Sequence, residues 1–240
     1  MEKYKSGLTG KHRFVEDPTF TFKKPVFKKK VNLPLAEEDP ISNVYLRKRG
    51  LNPKKFYFAD RFKHFCNTHK PTFEDTKRDH SRIVIPMYDK NNNLIGFQGR
   101  SLDPTQKPKY LTVMLSDDSP KLYGLDKIDE QKPIYIVEGP FDSTFVENSV
   151  AMCGSDVDIR TLGWSNYIWV FDNEPRNREN INRISRVIDR GDKVVIWPKN
   201  IHQKDINDMF LGGHNIKSLL ESNTYSSLEA KLKLQSWKRI

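Results

Sequence analysis

Two apolar runs that each end in acid constrain this chain more than any other feature. Ile134-Tyr135-Ile136-Val137 leads into Glu138-Gly139-Pro140-Phe141-Asp142, and Tyr167-Ile168-Trp169-Val170-Phe171 leads into Asp172-Asn173-Glu174. Short runs of aromatic and β-branched residues read as buried strands. The pattern then alternates. A helix is predicted over residues 142–148, a short apolar piece over 151–154, and a helix over 178–190 with Ile181, Ile184, Val187 and Ile188 on one face. Lys193-Val194-Val195-Ile196-Trp197 is a further strand. Such alternation implies parallel pairing with right-handed crossovers. In open α/β sheets ligands bind beyond the carboxyl ends of the strands, so the acids are predicted to share one crevice.

A third acidic point, Lys204-Asp205-Ile206-Asn207-Asp208, follows the strand that ends at Trp197-Pro198. Carboxylates crowded at one place raise one another's pKa unless a cation is present. With no cysteine or histidine among them they are hard donors, suited to Mg²⁺ rather than zinc. Two such ions could activate an attacking hydroxyl and stabilise a departing pyrophosphate. Asp142 taken alone reads as a helix cap; the recurrence of acids at three successive strand ends is what favours a metal site.

The rest of the chain bounds the partners. A chain of 240 residues, 36% hydrophobic and 30% charged, suits one or two globular domains. No apolar stretch approaches the roughly 20 residues of a membrane span, and Met1-Glu2-Lys3-Tyr4-Lys5 opens no secretory signal. The two cysteines, Cys66 and Cys153, have no near neighbours, which excludes a Cys-x-x-Cys zinc ribbon within this sequence and suggests buried free thiols in a reducing cytoplasm. The net charge of +10 favours a polyanionic partner. Residues 1–35 carry nine Lys/Arg against three acids, interleaved with Phe14, Phe20, Phe22 and Phe27. They read either as an extended arm along a nucleic-acid strand or as a solvated linker.

Asp39-Pro40 opens a short helix through Ile41, Val44, Tyr45 and Lys48, with Gly50 as its stop. Residues 82–88 and 94–99 form a predicted hairpin across the turn 89–93, and Pro86 places its strand at an edge or a bulge. The end of the chain, from Ser226, is predicted as a docked helix presenting Leu228, Leu232 and Trp237.

The acid-tipped strand pair resembles the Toprim domain of primases, topoisomerases and some nucleases. Its flanks resemble the bacterial and T-even-like phage primases in particular. Arg49-Gly50-Leu51-Asn52-Pro53 is similar to a primase element, as are Ile95-Gly96-Phe97-Gln98-Gly99-Arg100, Pro108-Lys109-Tyr110-Leu111 and Lys121-Leu122-Tyr123-Gly124-Leu125. Lys204-Asp205-Ile206-Asn207-Asp208 resembles the element that closes the site, and Glu174 stands where aspartate is usual.

This resemblance implies an α/β fold: a Toprim-like parallel sheet with flanking helices over 131–212, preceded by a small mixed α+β basic subdomain over 36–130. A basic arm (1–35) and a helical segment (213–240) flank them. It implies synthesis of short RNA primers on single-stranded DNA from NTPs for lagging-strand phage replication. Glu138, Asp172 and Glu174 would be catalytic, and Glu138, Asp142, Asp172, Glu174, Asp205 and Asp208 would hold two or more Mg²⁺ ions. Arg100, Lys109, Lys121 and Lys204 would bind NTP or DNA, with Lys204 either on a triphosphate or paired with Asp208. Implied partners are single-stranded DNA, NTPs, a hexameric replicative helicase and a separate zinc-ribbon protein, with no membrane and a setting in host cytoplasm. The rival functions are a Toprim-type Mg²⁺-dependent nuclease, a topoisomerase fragment, or a non-catalytic replisome adaptor.

Overall fold

The computed structural model describes residues 30–154 and 157–240. Most of the predicted basic arm therefore lies outside the described residues. Its last residues are tied down: Leu35 bridges to Tyr57, and Pro34 O accepts from Phe58 N at 3.0 Å.

The first half opens with α1 (Pro40–Lys48), whose Asp39 side chain accepts from Ser42 N and so caps it as predicted. Then come β1 (Tyr57–Ala59), α2 (Phe62–His69), β2 (Arg82–Tyr88), β3 (Leu94–Ser101) and β4 (Tyr110–Met114). The strands form an antiparallel sheet in the order β1-β2-β3-β4. The β2–β3 hairpin forms across Asp89, whose side chain holds the turn by accepting from Asn91 N and Asn93 N. Pro86 sits in a strand with neighbours on both sides, yet β1 pairs only with Arg82–Val84. Past β1 the proline meets β3 alone, one residue before a register shift at Met87/Tyr88. A missing N–H is harmless there.

This sheet is buried on both faces. Val84 and Phe97 pack with Phe62 and Phe65 of α2, while Ile83, Ile85 and Met87 join the main core. The α2 helix lies so close to β3 that a Cβ on Gly99 would sit 2.5 Å from the Phe62 ring. Phe62 is fully buried and has nowhere to go. Gly99→Ala is therefore expected to destabilise the protein by about 1–3 kcal/mol through overpacking, read as a lowered midpoint in chemical denaturation. An unchanged midpoint would contradict this packing.

The second half is the α/β unit: β5 (Ile134–Val137), α3 (Pro140–Ser143), β6 (Ser149–Ala151), β7 (Tyr167–Trp169), α4 (Arg178–Asp189), β8 (Lys193–Val195), α5 (Ile206–Leu211), α6 (Ile216–Ser222), β9 (Thr224–Tyr225) and α7 (Ser227–Trp237). The sheet order is β6-β5-β7-β8-β9, parallel throughout except for β9. The chain leaves β5 toward β6 on one side and later adds β7 on the other. That reversal of strand order makes the crevice beyond β5 and β7 the ligand position of a doubly wound sheet.

Two expectations need correction. The helix predicted over 142–148 is α3, which starts at Pro140 and lasts one turn; left-handed Asn148 (φ 54°) then redirects the chain. In α7 the buried stripe is Ala230, Leu234 and Trp237, spaced four and three apart, whereas Leu228 and Leu232 are exposed. Trp237 shares a helix face with Leu234, not with Leu232. By contrast α4 buries Ile181, Ile184, Val187 and Ile188 as predicted, ending before left-handed Gly191. The core is continuous between the halves: Leu46, Ile83 and Leu122 pack in one cluster with Ile134, Phe171 and Trp237. Among the described residues no helix is long and apolar enough to cross a membrane.

Candidate active site

β5 ends at Val137 and delivers Glu138 to the rim of the sheet; extended Gly139 then turns the chain into α3. Arg183 of α4 donates to Glu138 Oε1 at 2.7 Å. Asp142 does not cap α3, contrary to its reading in isolation: Gly139 holds that position, and Asp142 Oδ1 accepts from Asn207 N at 3.0 Å. Beyond β7, Asp172 is fixed through its backbone, whose carbonyl accepts from Asn180 Nδ2 at 2.7 Å. Asp205 caps α5 by accepting from Asp208 N at 2.8 Å.

The opposite wall is the first sheet. Arg100 on β3 is buried, and its guanidinium donates to Tyr110 Oη at 2.6 Å and Tyr45 Oη at 2.7 Å. It also lies over the Tyr110 ring at 4.7 Å. Buried Arg82 donates to the carbonyls of Gly99, Pro108 and Lys109, which sets the loop that presents Lys109.

These walls enclose a cavity of about 630 Å³. Of the ten residues predicted for the site, nine line it: Glu138, Asp142, Asp172, Asp205, Asp208, Arg100, Lys109, Lys121 and Lys204. Glu174 lies behind it instead, where its carboxylate meets Lys204 Nζ at 2.8 Å and Asn177 Nδ2 at 3.0 Å. Of the two alternatives for Lys204, pairing with Asp208 is replaced by this pairing with Glu174.

Sequence reasoning missed four contributors. Arg49 lines the cavity and is locked to Asn207 by reciprocal bonds, Nη1 to Oδ1 at 2.8 Å and Asn207 Nδ2 to Arg49 O at 2.7 Å. Arg183 holds Glu138, and Gln98 lines the floor of the cavity. Arg49, Gln98 and Asn207 stand inside the family-like elements and were visible there. Arg183 sits mid-helix among other charges and gave no signal.

The electrostatics follow from burial. Asp172 is pushed up to about 8, by desolvation first and then by Glu138, Asp142 and Asp205. Asp142 is pushed up to about 7, by desolvation and Asp205. Desolvation also raises Glu138 despite Arg183. Across the cavity, desolvation and the cations Arg100, Arg49 and Lys204 depress Lys109. Acids are thus crowded against acids on one side and bases against bases on the other. Among the described residues no three His, Cys, Asp or Glu side chains gather closely enough to form a ready-made metal cluster. The donor set fits a hard divalent cation nonetheless, since its donors are carboxylate oxygens and their repulsion is what such an ion relieves. Neither cysteine adds a donor to this set: both are buried and free, with thiols pushed up to about 12 by burial, although Cys153 lines the cavity.

Residues 55–128 match the family model of the DNA primase catalytic core, N-terminal domain. Over 247 aligned positions the chain is 31% identical to the DNA primase of Enterobacteria phage T4, covering 96% of this chain and 72% of that protein. The chain belongs to the DNA primase family. The Legionella pneumophila primase is 43% identical over 72 residues, a match spanning 27% of this chain and 12% of that much longer protein. Solved primases share the fold. The Aquifex aeolicus primase, with its zinc-binding and RNA polymerase domains, matches at a TM-score of 0.60 and 21% identity, covering 83% of this chain and 61% of that one. The E. coli primase catalytic core matches at 0.59 and 19%, covering 82% and 78%. The parallel sheet is therefore the Toprim-type unit of a primase core, and primer synthesis is the function its family supports over the nuclease, topoisomerase and adaptor alternatives.

Proposed function

We propose that the cavity is the polymerising site, joining ribonucleotides on single-stranded DNA as a nucleotidyltransferase. The observation that carries this reading is the sorting of charge: the acids come from the parallel sheet and the cations chiefly from the antiparallel one, across a single cavity. Primer synthesis needs both, one side for metal-assisted transfer and the other for a triphosphate and a template backbone.

Glu138, Asp142 and Asp172 would hold the Mg²⁺ ions, with Asp205 and Asp208 supporting them. When bound, Mg²⁺ supplies Lewis-acid charge at the attacking and leaving oxygens. The 3′-oxygen of one nucleotide attacks the α-phosphorus of the next; the new P–O bond forms as the bond to pyrophosphate breaks, and the hydroxyl proton leaves to solvent. Arg183 keeps Glu138 oriented across these steps. Arg100, Lys109 and Lys121 face the phosphates of the incoming nucleotide and the template, and Lys204 meets the charge on pyrophosphate. Glu174 acts through Lys204, which it positions. A DnaG primase catalytic domain bound to single-stranded DNA shares this fold at a TM-score of 0.57, and it supports a DNA partner for this chain.

In this reading a helicase and a separate zinc-ribbon protein complete the replisome in host cytoplasm. Residues 36–130 supply its basic subdomain and residues 131–212 its Toprim unit. The reading is separated from a nuclease by incubating the protein with end-labelled single-stranded DNA and Mg²⁺, with and without NTPs. The label is expected to stay intact in both arms while NTPs yield a new RNA product. Degradation of the label without NTPs would reverse the assignment.

A further inference from the structure

A second cavity, of about 500 Å³, adjoins the first on the far side of the Glu174–Lys204 pair. Lys204 faces the catalytic cavity and Glu174 faces this one, so the pair forms the partition between them. Arg176, Lys199, His202 and Arg239 line it. All four are exposed, and among the described residues none of Arg176, Lys199 and Arg239 makes an ion pair. Among the described residues the single carboxylate on the wall is Glu174, already committed to Lys204 and Asn177. Like charges gathered without counter-ions cost stability, and a polyanion offsets that cost.

The cavity is also built rather than incidental. Three segments distant in sequence are knitted together around Asn173. Its Nδ2 donates to the carbonyls of Ile201 and Gln203, both at 3.0 Å, and its Oδ1 accepts from buried Trp237 Nε1 at 3.0 Å. Arg239 N donates to Pro175 O at 2.8 Å, so the end of the chain is stitched to the loop that follows the catalytic acids. These bonds hold Arg176, Lys199 and Arg239 around one opening, whatever side-chain freedom each retains.

We propose that this cavity is a phosphate-binding track that grips the backbone of a nucleic-acid strand next to the catalytic cavity. The inference rests on the primase reading and deepens it: the strand continues past the partition rather than ending at the acids. Lysine and arginine on phosphates position a strand without reading its sequence, which predicts binding with little sequence preference.

The test is fluorescence-anisotropy titration of labelled single-stranded DNA over a range of salt concentrations. The variants are a triple change, Arg176→Ala with Lys199→Ala and Arg239→Ala, and a control triple at the opposite ends of the strands, Lys132→Ala with Arg190→Ala and Lys193→Ala. Each phosphate contact on a single strand contributes about 0.7 to the log–log salt slope, so the first triple is expected to lower it by about two. Affinity at low salt should fall about tenfold or more. The control triple should keep a slope close to wild type. Restoring charge with Arg176→Lys and Arg239→Lys beside native Lys199 should restore the slope, which a structural defect would not allow. A parallel ATP titration separates a strand from a free triphosphate. An unchanged slope in the first triple, or a loss confined to ATP, would overturn the proposal while leaving the primase reading intact. Absence of strand binding by the wild-type protein would overturn both.

Discussion

Asp172→Asn is expected to abolish primer synthesis, by about a thousandfold or more, while making the metal-free protein more heat-stable. Burial and three neighbouring carboxylates push Asp172 up to about 8. A carboxyl raised in the folded state favours folding in its protonated form. That contribution is fully present below the unfolded pKa, near 4, and is lost as pH rises through about 8. The metal-free wild type should therefore lose stability between about pH 4 and pH 8, with Asp142, pushed up to about 7, adding to the loss. Asparagine keeps the shape and carries no charge, so the variant should melt at least about 3 °C higher at pH 8 and show a flatter pH dependence. Mg²⁺ should raise the wild-type melting temperature more at pH 8 than at pH 6, because the carboxyls must release protons to bind it. A variant that synthesises primers at the wild-type rate, or that melts lower than wild type at pH 8, contradicts the assignment of Asp172.

Arg100→Met should lower kcat/KM for NTPs by about a hundredfold, at a melting temperature within about 4 °C of wild type. Among the described residues Arg100 is buried without a carboxylate partner: its charge rests on two phenol oxygens and on the faces of Tyr110, Tyr45 and Phe141. Its Nε has no hydrogen-bond partner among the described residues. In the proposed site, a cation kept this way beside the acids would meet a phosphate. Methionine fills a similar slot, and Tyr45 and Tyr110 are only partly buried, so their hydroxyls can turn to water. Steady-state kinetics with a thermal melt separates the two effects. A drop of more than about 10 °C would make Arg100 a structural residue, and unchanged kinetics would remove it from the site.

The acids were legible in the sequence because each sits where an apolar run stops, a one-dimensional pattern that fixes position on a parallel sheet. Glu138 and Asp172 follow β5 and β7, which pair in register, Ile136 beside Trp169. Their convergence needed no side-chain knowledge. The basic wall was legible through its resemblance to a family element, since nothing in the spacing of Arg100 and Lys109 points to Asp142. What the sequence could not show was partner choice among charges. Lys204 pairs with Glu174 rather than Asp208 because the loops after β7 and β8 run side by side, and Arg183 of α4 reaches Glu138 across 45 positions. The same limit explains α7: alternative apolar stripes on one short helix are resolved only by what it packs against, here α4 and β8.

We propose that this chain holds the polymerising site of a primase. The most direct measurement is synthesis of labelled RNA on single-stranded DNA with NTPs and Mg²⁺, run with and without the cognate helicase and a zinc-ribbon protein. A dinucleotide or longer product that requires the template and disappears in Asp172→Asn is the predicted result. No product under any of these combinations would contradict it.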